Sequence, residues 1–98
     1  MRFIWDEDKN RRNLLKHKVS FETAVLVFDD PHAVSVQDRL VQGEERWQTL
    51  GLIEGVVVLL VAHSIEFESD EEIIRIISAR KATPREREIY AQSQQKTK

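Results

Sequence analysis

The chain predicts an α+β domain in which helices pack on an antiparallel sheet. Four stretches rich in β-branched and aromatic residues follow one another between positions 33 and 81, separated by turn residues. Ahead of them lie a short strand signal and two helix starts, each with a side chain suited to cap it. After them comes Thr83-Pro84-Arg85-Glu86, a well-marked helix beginning. The predicted order is β-α-α-β-β-β-β-α.

Phe3-Ile4-Trp5 is the first strand candidate. Asp6 offers an oxygen to cap a helix from Glu7 to about His17. That helix has little apolar content beyond Leu14 and Leu15, so it is expected at the surface with one small apolar contact. Ser20 caps a second helix, which places Phe21, Ala24, Val25 and Phe28 on one face and runs to about Phe28. Asp29-Asp30-Pro31 ends it, since proline disfavours helical geometry in the residue before it.

Ala33 to Val36 reads as a short strand, and Asp38 to Glu44, polar and containing Gly43, as a loop. Arg46 to Ile53 forms the next strand, closed by a turn at Glu54-Gly55. Val56 to Ile65 is continuous and β-branched, as suits a central strand covered on both faces. Glu66 to Asp70 is expected as an acidic hairpin turn, with Ile73 to Lys81 pairing back. In the last helix Thr83 caps, Pro84 takes the first position and Glu86 closes a capping box. Residues 1–92 are read as one domain and 93–98 as a frayed tail.

Bulk properties narrow the function classes. A chain of 98 residues supports one modest core. Cysteine is absent, which excludes disulfides and thiolate metal sites. The longest apolar run, Val56 to Ala62, is far too short to span a bilayer, and acids stand where a signal peptide needs its apolar core. The expectation is a cytoplasmic protein with no membrane partner. The formal net charge of −2 disfavours bulk attraction to nucleic acid, but the charge is polarised. Lys9 to Lys18 holds five cations and no acid, whereas Glu66 to Glu72 holds five acids and no base.

The last strand carries cations directly. Arg75 interrupts Ile73, Ile74, Ile76 and Ile77, and Arg80 and Lys81 precede the final helix. Cations on a rigid strand meet a phosphodiester at fixed geometry, and the unpaired N–H groups of a helix start attract anions. The bland alternative is a structural ion pair for Arg75, with Glu44 or Glu45 as partner. Thr83 is read as a cap rather than an anion ligand.

The blocks F3-I-W-D6, K9-N-R-R-N-L-L-K-H17, V19-S-F-E-T-A24, V27-F-D-D-P31, E44-E-R46, L50-G-L52, R75-I-I-S-A-R-K-A-T83 and R85-E-R-E-I-Y90 resemble the BrnT family. The resemblance runs from Phe3 to Tyr90. It departs in the strongly acidic stretch Ile65 to Glu72 and at Arg39-Leu40. It implies a RelE-like fold and a metal-independent endoribonuclease without cofactors, the toxin of a type II toxin–antitoxin system. The implied partner is a BrnA-type antitoxin with a ribbon-helix-helix module, through which alone the complex reaches promoter DNA. The family's complexes allow a homodimer within a heterotetramer, and no feature of the sequence marks its interface.

RNA cleavage of that kind needs a base for the 2′-OH, cations for the phosphorane and an acid for the 5′-oxygen. Arg46, Arg75 and Arg80 are the cation candidates, because a guanidinium fork matches phosphate oxygens. His63, at the end of the strongest strand, is the first acid–base candidate. Glu45, with Glu44, is the other, or else holds Arg46 in place. Lys81, Trp47 and Tyr90 are candidate RNA contacts: Lys81 by charge, Trp47 by stacking on a base, Tyr90 as a donor from the last helix. Trp47 and Tyr90 are equally readable as core. The three histidines have no metal-ligand spacing. The same cations also suit a non-catalytic RNA- or protein-binding module.

Overall fold

The computed structural model describes residues 1–41 and 44–95, the side chains of 39–41 and 95 aside. The elements are β1 (Arg2–Ile4), α1 (Glu7–His17), α2 (Phe21–Ala24) with a 3-10 segment Val25–Asp29, β2 (Val34–Val41), β3 (Glu44–Ile53), β4 (Val57–Glu68), β5 (Glu71–Lys81) and α3 (Pro84–Gln95). The sheet order is β1-β5-β4-β3-β2. Strands β2 to β5 form an antiparallel meander, and β1 joins the outer edge of β5 in parallel.

The sheet divides two cores. On one face Phe21, Ala24 and Val27 meet Leu59, Val61, Ile74, Ile76 and Ala79. On the other, Tyr90 of α3 packs with Leu50, Leu60 and Ala82. Strand alternation produces this division: odd positions of β4 face α1 and α2, and even positions face α3.

Helix α1 starts as Asp6 accepts from the Asp8 and Lys9 N–H groups, at 2.8 and 3.2 Å. It ends at Lys18, whose φ of 63° is left-handed and whose N–H reaches the Leu14 carbonyl. Its contact with the body is not the expected apolar one, since Leu14 and Leu15 are exposed. Two buried asparagines dock it instead. Asn13 donates to the carbonyls of Val19 and Ala79, both at 2.8 Å, and accepts from the Ala79 N–H at 3.1 Å. That contact caps the part of the β5 edge that β1 leaves open. Asn10 accepts from the Phe21 N–H and donates to Glu22.

The second helix is shorter than the periodicity suggests. Ser20 caps it by accepting from the Thr23 N–H, and after Ala24 the chain tightens into a 3-10 segment. The spacing of three then aligns Phe21, Ala24 and Val27, all fully buried, with Phe28 partly buried against the same core and Val25 outside that cluster. Gly51 admits this segment: a Cβ there would lie 2.6 Å from Val27 Cγ1 and 2.9 Å from the Val27 carbonyl oxygen.

Three boundaries differ from expectation. Strand β2 continues through Asp38 to Val41, with an irregularity between Gln37 and Arg39, where a loop was expected. An exposed edge strand tolerates such polar residues. The expected loop's residues 42 and 43 lie outside the described residues. The acidic turn is narrower than expected, because Glu66 to Glu68 belong to β4 and only Ser69 and Asp70 turn. Helix α3 continues to Gln95, through the first three residues of the expected tail, and 96–98 lie outside the described residues. No helix among the described residues is long and apolar enough to cross a membrane.

Candidate functional site

The face that carries α3 becomes polar away from that helix. On β3 the residues beyond Leu50 on this face are Gln48 and Arg46, on β4 Ala62, Ser64 and Glu66. The register places Arg46 opposite Ser64, Ser64 opposite Arg75, and Arg75 opposite Ile4. Arg46 and Arg75 are thus two strands apart in one row, roughly 10 Å between backbones at ordinary strand spacing.

Arg75 reaches this face through an irregularity. Val61 pairs with Ala79 and Ala62 with Ser78, but His63 pairs with Ile76, so Ile77 is an extra residue in β5. Ile74 and Ile76 consequently point into the α1 and α2 core with Ala79. Arg75 points the other way, on the same face as Arg80. The sequence places Ile77 beside Arg75 on an apolar face, and the bulge removes that relationship.

Each arginine has a carboxylate, and the three pairs differ. Arg80 forms a two-pronged bond to Glu86, with Nη1 to Oε1 at 2.7 Å and Nη2 to Oε2 at 3.0 Å. Glu86 also accepts from the Thr83 N–H, while Thr83 Oγ1 accepts from the Glu86 N–H, completing the capping box. The bond from Arg80 leads in holding the Glu86 carboxyl down at about 2, and Glu86 in turn raises Arg80. Arg46 Nε lies 3.3 Å from Glu44 Oε1 without hydrogen-bond alignment. Arg75 Nε lies 3.6 Å from Glu66 Oε1. The side chains of Arg46, Arg75 and Arg80 are 33%, 45% and 38% exposed. Arg80 is thus a fixed cation, whereas Arg46 and Arg75 are loosely held and can exchange a carboxylate for an incoming phosphate. The partner of Arg75 is Glu66, not Glu44 or Glu45.

The other candidates do not join this row. His63 is 1% exposed and lies on the opposite face. Its Nε2 bonds Thr49 Oγ1 at 2.7 Å, and its ring meets Phe28 edge-on at 5.0 Å. Burial pushes its pKa down, so it is a neutral core residue. Trp47 pairs with His63 and shares its face, half-buried. Glu45, next to Arg46 in the strand, projects away from it for the same reason of alternation, and Lys81 likewise projects away from Arg80. Tyr90 is buried beneath α3 with its hydroxyl donating to Asp30 Oδ2 at 2.5 Å.

Two residues of the row escaped the sequence reading. Glu66 looked like part of a turn, and only the longer β4 brings it beside Arg75. Ser64 had no motif to mark it; its place between two arginines follows from strand register alone. Along the same face a groove of about 240 Å³ opens beside Gln48 and Glu86, under Ile89 of α3.

Comparison with known proteins agrees with this architecture. A family model described as "Ribonuclease toxin, BrnT, of type II toxin-antitoxin system" matches residues 5–86. The 1.1 Å-resolution crystal structure of the Brucella abortus ribonuclease toxin, BrnT, has 27% sequence identity to this chain. It superposes with a TM-score of 0.66, covering 85% of this chain and 97% of the other. Among curated proteins none matches.

Proposed function

The chain belongs to the BrnT family of ribonuclease toxins of type II toxin–antitoxin systems, and from that premise we propose that the Arg46–Ser64–Arg75 row is where it cuts RNA. The observation that carries this reading is the shared row itself: two loosely paired guanidinium groups in register on one face, both partly exposed, with a third, Arg80, further along that face. Arg46 and Arg75 clamp the non-bridging oxygens of the scissile phosphate, while Arg80, opposite Leu60 and bonded to Glu86, fixes the start of α3 on the same face. Glu66 takes the proton of the 2′-OH as that oxygen attacks phosphorus. The P–O5′ bond breaks and a water protonates the departing oxygen, the hydroxide it leaves taking the proton back from Glu66. The products are a 2′,3′-cyclic phosphate and a 5′-hydroxyl end. The reaction uses no metal and no cofactor, and it requires the 2′-OH, which separates RNA from DNA.

The same proposal extends to context. The fold is RelE-like, the substrate is cellular RNA in the cytoplasm, and its cleavage inhibits translation. A BrnA-type antitoxin silences the chain and carries the complex, a homodimer within a heterotetramer, to promoter DNA.

Purified protein incubated with end-labelled RNA and EDTA tests the core of this. Cleavage with cyclic-phosphate ends is expected, lost by about 10²-fold in Arg46→Ala or Arg75→Ala. Melting temperatures should barely change, because exposed ion pairs contribute only about 0–1 kcal/mol. Full cleavage by the double variant, or cleavage that EDTA abolishes, refutes the proposal. RNA bound but left intact by wild type supports the rival reading of a non-catalytic binding module.

A further inference from the structure

Ser64 stands in the middle strand of the row, in register with Arg46 on one side and Arg75 on the other. It is 0% exposed, yet its hydroxyl has no hydrogen-bond partner among the described residues. Buried hydroxyls are nearly always paired, so an unpaired one between two cations needs a reason. Alanine would fill this position without leaving a stranded polar group.

The neighbours supply the reason. Arg46 and Arg75 hold their carboxylates at 3.3 and 3.6 Å, distances from which a guanidinium is readily drawn away. A phosphate that draws both arginines towards it settles above the middle strand, and the group beneath it there is the Ser64 hydroxyl. We propose that Ser64 is a phosphate-contacting residue of this site, donating its O–H to a non-bridging oxygen of the scissile group. This rests on the reading of the row as the RNA-cleaving site. It adds a neutral donor on the central strand to the two charged donors flanking it. The hydroxyl is unpaired at rest because its partner arrives with the substrate. In the complex a tetrahedral oxyanion takes donors from three adjacent strands, and as charge grows on that oxygen the hydrogen bond strengthens.

The test is single-turnover cleavage of a short RNA by wild type, Ser64→Ala, Ser64→Cys and Arg75→Ala, with a thermal melt of each. A 2′-deoxy analogue at the scissile position serves as a binding probe. Ser64→Ala is expected to melt at the wild-type temperature or above it and to cleave about 10- to 100-fold more slowly. Its binding of the uncleavable analogue should weaken much less than its rate. Ser64→Cys, similar in size but a weak donor, should lose nearly as much rate. Wild-type rates in both Ser64 variants alongside an inactive Arg75→Ala would overturn the inference and leave the cleavage site standing. Loss of activity in step with loss of melting temperature would also overturn it, because that is the mark of a packing role. Wild-type rates in all three variants would remove the site itself.

Discussion

Arg75 and Arg80 project from the same face of the sheet although they stand five positions apart along one strand. Strict alternation would send them to opposite faces, because an odd spacing reverses direction. The extra residue at Ile77 restores agreement, and it does so between two cores. Were Ile77 to take its own place in the alternation instead, Ile74 and Ile76 would turn towards the arginine face and Arg75 into the packed layer below α1 and α2.

Deleting Ile77 is therefore expected to leave the faces unchanged, because Ser78 and Ile76 then follow one another opposite Ala62 and His63 in regular alternation. A register in which Ile74 and Ile76 left the core would forfeit about 3–6 kcal/mol, a large share of the 5–15 kcal/mol that holds a domain of this size, so the shortened strand keeps the native pairing. Ile77→Ala removes only a half-buried side chain and should cost about 1 kcal/mol. Urea denaturation of the two variants measures both. A deletion variant less stable than Ile77→Ala by about 3 kcal/mol or more would show that Ile77 is not the extra residue.

The Arg80–Glu86 pair makes acid sensitivity specific. Glu86 sits at about 2 in the fold against an ordinary 4.5, chiefly through its bond to Arg80. A folded value below the unfolded one gives stability that is complete above pH 4.5 and lost as pH falls towards 2. Arg80 is 38% exposed, so solvent screening reduces the contribution to about 1 kcal/mol. Thermal melts of wild type and Glu86→Gln should differ at pH 7 and converge between pH 5 and 2. A gap that stays constant across that range would show that the ionised pair does not stabilise the fold.

How much of this could be read from residues alone follows from how local each signal is. Asp6, Ser20, Thr83 and Glu86 act within one turn of chain, and the caps they announce are the caps the fold uses. The five strands were visible because β-branched runs are local too. Their ends were not, since Glu66 to Glu68 and Asp38 to Val41 are strand only by pairing with a partner. The arginine face depends on Ile77, an excess residue defined by what lies opposite it on β4. The burial of His63 and Asn13 is non-local in the same way: only tertiary partners such as Thr49 and the Ala79 backbone make it tolerable.

Burial of His63 sets a second pH response, in the neutral range. Burial lowers its folded pKa below the ordinary 6.5, so the unfolded chain binds a proton more readily. Stability is then complete above pH 6.5 and declines as pH falls towards the folded value. Wild type is expected to lose melting temperature between pH 7.5 and 5.5, and His63→Gln, which keeps a partner for Thr49, to lose less. The variant should retain RNA cleavage within about threefold, since its side chain lies on the far face from Arg46. A loss of about 10²-fold without a change in stability would return His63 to the catalytic machinery.

Tyr90 separates a structural role from an RNA contact most cleanly. Asp30 Oδ2 accepts from both the Tyr90 hydroxyl and the Leu52 N–H, so one carboxylate ties α3 to β3 and to the chain entering β2. Burial raises the Asp30 pKa, but these donors and the His32 N–H more than offset it and hold it below the usual value. The phenol moves the other way: burial first, and then the bond to Asp30, push it up to about 12. A folded value above the unfolded 10 means stability that is full below pH 10 and lost as pH rises towards 12. Tyr90→Phe should cost about 1.5–3 kcal/mol, the range for a hydrogen bond to a charged group, and flatten that alkaline decline. Its kcat and KM on RNA should stay at wild-type values under conditions where it remains folded. A variant as stable as wild type but with a raised KM would instead show that the hydroxyl leaves Asp30 to meet substrate.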